Sequence, residues 1–187
     1  MNKFLIPACA MAAMATPALA ATDIPLPHFH SVMLAGGGHV VFRNGPTQRV
    51  ILIKGSSKIT SFSIREDGQL QIHACDDNCP AKYDLNVEIV SPDVIGLAVR
   101  GGGHIEAQGT FQERQVLDVA VMGGGSIDAR SIHADKVNAA IKGGGQVEVA
   151  PGSSLNAAVA GGGSITYWGD PHVTQAVVGG GTVERGG

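Results

Sequence analysis

Apolar and polar residues alternate along most of this chain, and runs of three glycines punctuate the alternation. Gly-Gly-Gly begins at Gly36, Gly101, Gly123, Gly143, Gly161 and Gly179, at steps of 65, 22, 20, 18 and 18 residues. The first step is about three repeats of ~21. When the triplets are aligned, the position two residues before them reads Leu34, Val99, Val121, Ile141, Val159 and Val177. The position two residues after them reads Val40, Ile105, Ile127, Val147, Ile165 and Val183. Four before, the column is Val32, Leu97, Val119, Ala139, Ala157 and Gln175; six before, it is His30, Ile95, Leu117, Val137, Leu155 and Val173. All these offsets are even relative to one another. A period of two is strand spacing with alternate side chains on one face, whereas a helix needs 3.6.

The same parity turns the outer two glycines of each triplet inward: Gly36 and Gly38, Gly101 and Gly103, Gly123 and Gly125, Gly143 and Gly145, Gly161 and Gly163, Gly179 and Gly181. An inner position without a side chain lets a strand bend sharply or lets another backbone come close. Each triplet therefore reads as a corner. Eighteen to twenty-two residues per turn, at ~3.3 Å each, give a perimeter of about 60–70 Å, which suits a three-sided coil. The expectation is an all-β solenoid whose stacked coils bury one another's inner faces.

Residues 41–100 depart from the pattern. Arg49 to Ile59 reads as a degenerate coil with Gly55-Ser56-Ser57 in place of the triplet. Gln69–Ala74 and Asp84–Val90 read as strands of one wider coil with an excursion between them. After the last coil, Val173 to Arg185, only Gly186 and Gly187 remain. An open strand edge recruits other chains. The expectation there is a homo-oligomer through coil ends, or an N-terminal segment packed over one end.

The first twenty residues have a different character. Lys3, the apolar run Phe4 to Ala15 and the Ala18-Leu19-Ala20 site are the three parts of a secretory signal peptide. Residues 1–20 are expected to be removed, leaving 21–187 as one domain, periplasmic or secreted to the cell surface. Cys9 leaves with the leader, so Cys75 and Cys79 remain, and in an oxidising compartment the pair reads as a disulfide across a polar five-residue loop. The alternative, a redox or metal pair, is disfavoured because acidic residues between the thiols raise their pKa. The formal net charge of −3 excludes a strongly basic nucleic-acid binder. No second apolar segment is present for membrane insertion.

Several stretches together resemble one known family. An opening strand, Phe29 to Val40, ends in the first glycine-rich turn. Gly68-Gln69-Leu70-Gln71-Ile72 follows the family's Gly-x-Leu-x-Ile strand, and Pro92 to Val99 leads into the next triplet. The Tyr167-Trp168-Gly169-Asp170-Pro171 element ahead of the last triplet is the most specific match. With these, nearly all of residues 21–187 resembles the GIN domain family, the putative auto-transporter adhesin head domain. The family's turns are often Gly-Ser-Gly, where these are Gly-Gly-Gly. The resemblance implies a right-handed parallel β-helix and brings no catalytic residues.

Outward columns are the place to look for chemistry. The position after each triplet is a polar ladder of His39, His104, Ser126, Gln146, Ser164 and Thr182. Two residues on, Glu106, Asp128 and Glu148 fall on consecutive coils, ~5 Å apart, making a weak candidate Ca²⁺ site. The simpler reading is a solvated acidic stripe offset by Arg100 and Lys142. His28 and His30 share a face that His39 could approach, but at the chain's start they read as a cap on the first coil rather than a zinc set. No nucleophile elbow or phosphate loop is present, so no cofactor is expected. The reading is a non-catalytic, exported, adhesion-type module binding an unknown protein or glycan of the envelope or surface. The alternatives are a structural envelope protein packing on another chain and a carbohydrate-active β-helix enzyme using Glu106 or Asp128.

Overall fold

The computed structural model describes residues 21–76, 79–80 and 82–187. The leader, with Cys9, lies outside the described residues. Among the described residues, fifteen strands form one sheet. They are β1 (Thr22–Ile24), β2 (Ser31–Gly36), β3 (His39–Arg43), β4 (Arg49–Lys54), β5 (Ser61–Ile64), β6 (Gln69–His73) and β7 (Asn86–Val90). Then come β8 (Gly96–Gly101), β9 (His104–Gln108), β10 (Arg114–Gly123), β11 (Ser126–Gly143), β12 (Gln146–Gly161), β13 (Ser164–Tyr167), β14 (His172–Val178) and β15 (Thr182–Arg185).

From one edge the order is β5, β6, β2, β8, β10, β11, and the path returns through β9, β3, β7, β4 and β1. The reversal is made by β11. Its first residues pair with β9, nine of its last ten with β10, and the register shifts between Ala129 and Lys136 in the middle. The sheet thus curls on itself without its edges meeting, as an open half-barrel.

This corrects the expectation of a right-handed parallel β-helix. The sheet is mixed: β1 with β4, β4 with β7, and β5 with β6 are antiparallel. For β5 and β6 the cause is local turn chemistry. Arg65-Glu66-Asp67-Gly68 reverses the chain between β5 and β6, with Gly68 at φ 73° and the Asp67 carboxylate accepting from the Gln69 amide at 3.1 Å. An Asp-Gly turn makes a hairpin, not a crossover. The Arg49–Ile59 segment is likewise no coil: β4 runs antiparallel between β1 and β7. The N-terminal segment does pack over an edge, as β1 on β4.

Within the repeat region pairing is parallel and in register. Val121 lies beside Ile141 and Ile141 beside Val159; Ile127 lies beside Val147 and Val147 beside Ile165. The columns flanking the triplets are buried to 3% exposure or less, until the last repeat leaves Val177 at 40%. Each fully buried Val, Leu or Ile stabilises by about 1.5–3 kcal/mol. The six-before column slips at its start: Ile95 is 45% exposed, and Phe29 and Val94 are buried instead. β6 stacks on β2 and β7 on β3, so the Cys75–Cys79 disulfide loop stands where other repeats have a triplet. Closing so short a loop contributes about 2 kcal/mol in the chain-entropy model.

The triplets are where successive repeats come closest. A Cβ on Gly143 would sit 2.5 Å from the Gly123 carbonyl oxygen, and its φ is +127°. The same placement recurs from Gly101 to Gly179, with φ between +113° and +127°. Gly145 is buried, and a Cβ there would meet the Val121 side chain and the Gly125 carbonyl oxygen. Gly144 has nothing within 4 Å. Gly143→Val should therefore lower unfolding free energy by at least ~1–3 kcal/mol, while Gly144→Ser should be near neutral. Urea unfolding of both variants checks this, and equal losses would contradict the corner geometry.

Candidate functional site

The arm of the sheet that follows the triplets carries most of the chemistry. Parallel register sets His39 beside His104, His104 beside Ser126, and Ser126 beside Gln146. Two residues along each strand, the same register sets Glu106 beside Asp128 and Asp128 beside Glu148. The three candidate carboxylates are thus on adjacent strands. The charge they meet is Arg130, whose Nε lies 2.9 Å from Asp128 Oδ1 and 3.0 Å from Glu148 Oε2. Its guanidinium also stacks over Trp168 at 4.9 Å, a cation–π contact. Burial alone would raise the Asp128 carboxyl's pKa, but the hydrogen bonds and charge of Arg130 hold it below the ordinary value. The Arg130 guanidinium is held more firmly protonated, chiefly by its bond to Asp128. The sequence pattern points to Arg100 and Lys142 for this offset, whereas the structure sets Arg130 against Asp128 and Glu148. The signal was present, because Arg130 is two residues beyond Asp128 and so shares its face.

Next to this pair is a second group that sequence reasoning did not assemble. The rings of His39 and His104 lie 4.8 Å apart, tilted by 39°. His39 Nε2 is 3.7 Å from Glu106 Oε2. His104 Nδ1 shares a 2.6 Å hydrogen bond with Ser126 Oγ. One ligating atom from each of His39, His104 and Glu106 falls within 4.8 Å of the others. Burial, then the nearby His104, pulls the His39 pKa down, against the opposing pull of Glu106. His28 and His30 are not part of this group: His28 is exposed, and His30 abuts the Gly68 turn. The polar-ladder column holds both residues, but reading the 65-residue step as about three repeats sets His39 three coils from His104, whereas β3 pairs directly with β9.

The arm preceding the triplets has a different outer face. Ala98, Ala120, Ala140, Ala158 and Ala176 line the floor of a shallow groove of about 770 Å³. Along it runs a ladder in which the Asn138 amide donates to Asp118 at 2.7 Å and the Asn156 amide to Asn138 at 2.9 Å. Tyr167 packs against the core, so Trp168 and Tyr167 do not form a paired aromatic platform. Among the described residues no helix is long and apolar enough to cross a membrane.

Known proteins give a consistent setting. The family described as "Putative auto-transporter adhesin, head GIN domain" matches residues 28–117 and 84–171. The crystal structure of a putative adhesin from Bacteroides fragilis is similar at 17% identity and TM-score 0.57, covering 91% of this chain and 98% of that one. One from Parabacteroides merdae is 16% identical with TM-score 0.42, over 91% and 97%. At this identity the B. fragilis likeness bears on the fold. No curated protein matches the chain.

The Asp128–Arg130 contact makes a testable claim. The folded Asp128 pKa lies below its ordinary 3.8, so the stability from ionised Asp128 is present above that value and is lost as pH falls through the folded pKa. In Arg130→Met burial would act on the carboxyl against only the backbone amide of residue 130 and the weaker pull of the His104 charge. Carboxyl ¹³C NMR titration should then show Asp128 protonating at higher pH than in the wild type, with acid destabilisation starting earlier. An unmoved titration would show that Arg130 does not hold it.

Proposed function

We propose, from the premise that the chain belongs to the family of putative auto-transporter adhesin head GIN domains, that it is an exported, adhesion-type binding module that works without catalysis. The observation that carries this reading is the groove on the arm preceding the triplets. Five alanines repeat across five parallel strands, with the Asp118–Asn138–Asn156 ladder alongside. Strands at ~4.8 Å spacing offer one small apolar step and one polar group per repeat. A regular, shallow, preorganised track of this kind suits an extended ligand, such as a glycan or polypeptide of the envelope or surface, rather than a small molecule enclosed in a pocket. The carboxylates on the other arm argue in the same direction. Asp128 and Glu148 both pair with Arg130 rather than being set in an apolar pocket that would raise an acid's pKa.

A second reading, assembly with another copy or an envelope partner, is favoured by the last repeat. There, among the described residues, β14 pairs only with β12 and β15 only with β13, and Val178 is 74% exposed. An unpaired edge with an apolar face is a template for association.

Glycan and surface-protein arrays probed with the intact chain should show binding that Ala140→Trp, placed in the groove floor, abolishes. Gln146→Ala and Glu148→Ala, on the other arm, should leave that binding unchanged. Binding lost only on the second pair would move the ligand to the other face. Turnover of a polysaccharide that Glu106→Gln or Asp128→Asn abolishes would replace the adhesion reading with an enzyme. Export predicts that protein recovered from the producing cell begins at Ala21 by mass spectrometry, and an intact Met1 would refute it.

A further inference from the structure

We propose that His39, His104 and Glu106 form a binding site for a divalent transition-metal ion of the zinc or nickel class. The inference does not rest on the adhesion reading. Three independent features of the geometry support it.

The first is convergence. His39 and His104 are direct cross-strand partners on β3 and β9, and Glu106 follows His104 on the same face. One ligating atom of each lies within 4.8 Å of the other two. Zinc bonds imidazole nitrogen and carboxylate oxygen at about 2.0–2.2 Å, so at tetrahedral angles two of its ligand atoms are about 3.4 Å apart. Rotamer adjustments of up to about 1.4 Å bring all three into range. These side chains are only half-buried and can make that adjustment.

The second is orientation. Metal-bound histidines usually hold their other ring nitrogen in a hydrogen bond that fixes ring rotation. The 2.6 Å contact of His104 Nδ1 with Ser126 Oγ has that form and leaves Nε2 as the ring's other nitrogen. Ser126 is supplied by the next strand in register, so the same ladder that places the ligands also places their support.

The third is charge and ligand type. Arg130 pairs directly with Asp128 and Glu148 and reaches Glu106 only through its longer-range field, and the direct ion-pair partner of Glu106 is His39. A metal ion would supply a direct cationic partner for that carboxylate. Two imidazoles and one carboxylate suit zinc, nickel or copper, whereas calcium needs six to eight oxygen ligands. Three protein ligands leave a fourth position open to solvent.

The experiment uses the intact chain, stripped with EDTA and dialysed, and titrated calorimetrically with ZnCl₂, NiCl₂ and CaCl₂ in turn. The expected result is one Zn²⁺ per chain, with affinity at least ~10-fold weaker in both His104→Ala and Glu106→Gln, and about 10-fold weaker in Ser126→Ala. CaCl₂ should give no saturable heat. Glu106→Gln preserves side-chain shape at a half-exposed position, and far-UV circular dichroism of each variant confirms that it is folded. No saturable Zn²⁺ binding by the wild type would overturn the proposal. So would binding unchanged in both His104→Ala and Glu106→Gln, or Ca²⁺ binding as tight as Zn²⁺.

Discussion

The structure depends on how closely one glycine corner can approach the next. From Gly101 onward, the first glycine of each triplet sits over the carbonyl of the preceding triplet's first glycine, where any Cβ would collide with backbone. The backbone there is also at positive φ, which side chain-bearing residues rarely adopt. Together these constraints lock the axial offset between repeats. Once the corners are in register, every strand position before and after them is in register too. The apolar columns then stack like on like, and the core follows as aliphatic layers with alanine at Ala139 and Ala157.

The same constraint decides the outward chemistry. In a register-locked parallel ladder, residues at one column position become neighbours whether or not they attract. Glu106, Asp128 and Glu148 are brought together this way, and Arg130 relieves the repulsion between two of them. His39 and His104 are placed side by side by the same rule, with Glu106 on the diagonal and Ser126 behind. On the other arm it produces the alanine track and the Asp118–Asn138–Asn156 ladder. The opposing characters of the two faces come from two column positions in one repeat, read out several times.

At its ends the repeat gives way to other solutions. On the N-terminal side, Ala74 and Leu85 meet the first corner in place of a preceding triplet, and the Cys75–Cys79 disulfide lies between them in sequence. The hairpin β5–β6 and the antiparallel β4 complete the sheet there, with β1 laid on β4. Gln48 ties these parts together. Its side chain accepts from the Phe29 amide and donates to the Phe29 carbonyl and the Ser91 hydroxyl. On the C-terminal side nothing equivalent occurs among the described residues, and the apolar columns end in exposed Val177 and Val178.

The sequence by itself determined the strands, the corners and the columns, because a strict period of two and a recurring glycine triplet are local signals that survive without tertiary context. It also determined the Cys75–Cys79 pairing, since the two cysteines are four residues apart. The reversal from β5 to β6 is carried by the local Asp67-Gly68 turn, but only the tertiary structure decided the direction in which β4 runs, because a mixed sheet and a parallel solenoid bury the same alternating face. Only the tertiary structure brought His39 to His104 and Glu106, and Arg130 to Glu148. Those contacts join different repeats, and which side chain fills the space between two columns depends on rotamer and charge as well as on spacing. The column alignment held the addresses of these residues, and packing chose which of them meet.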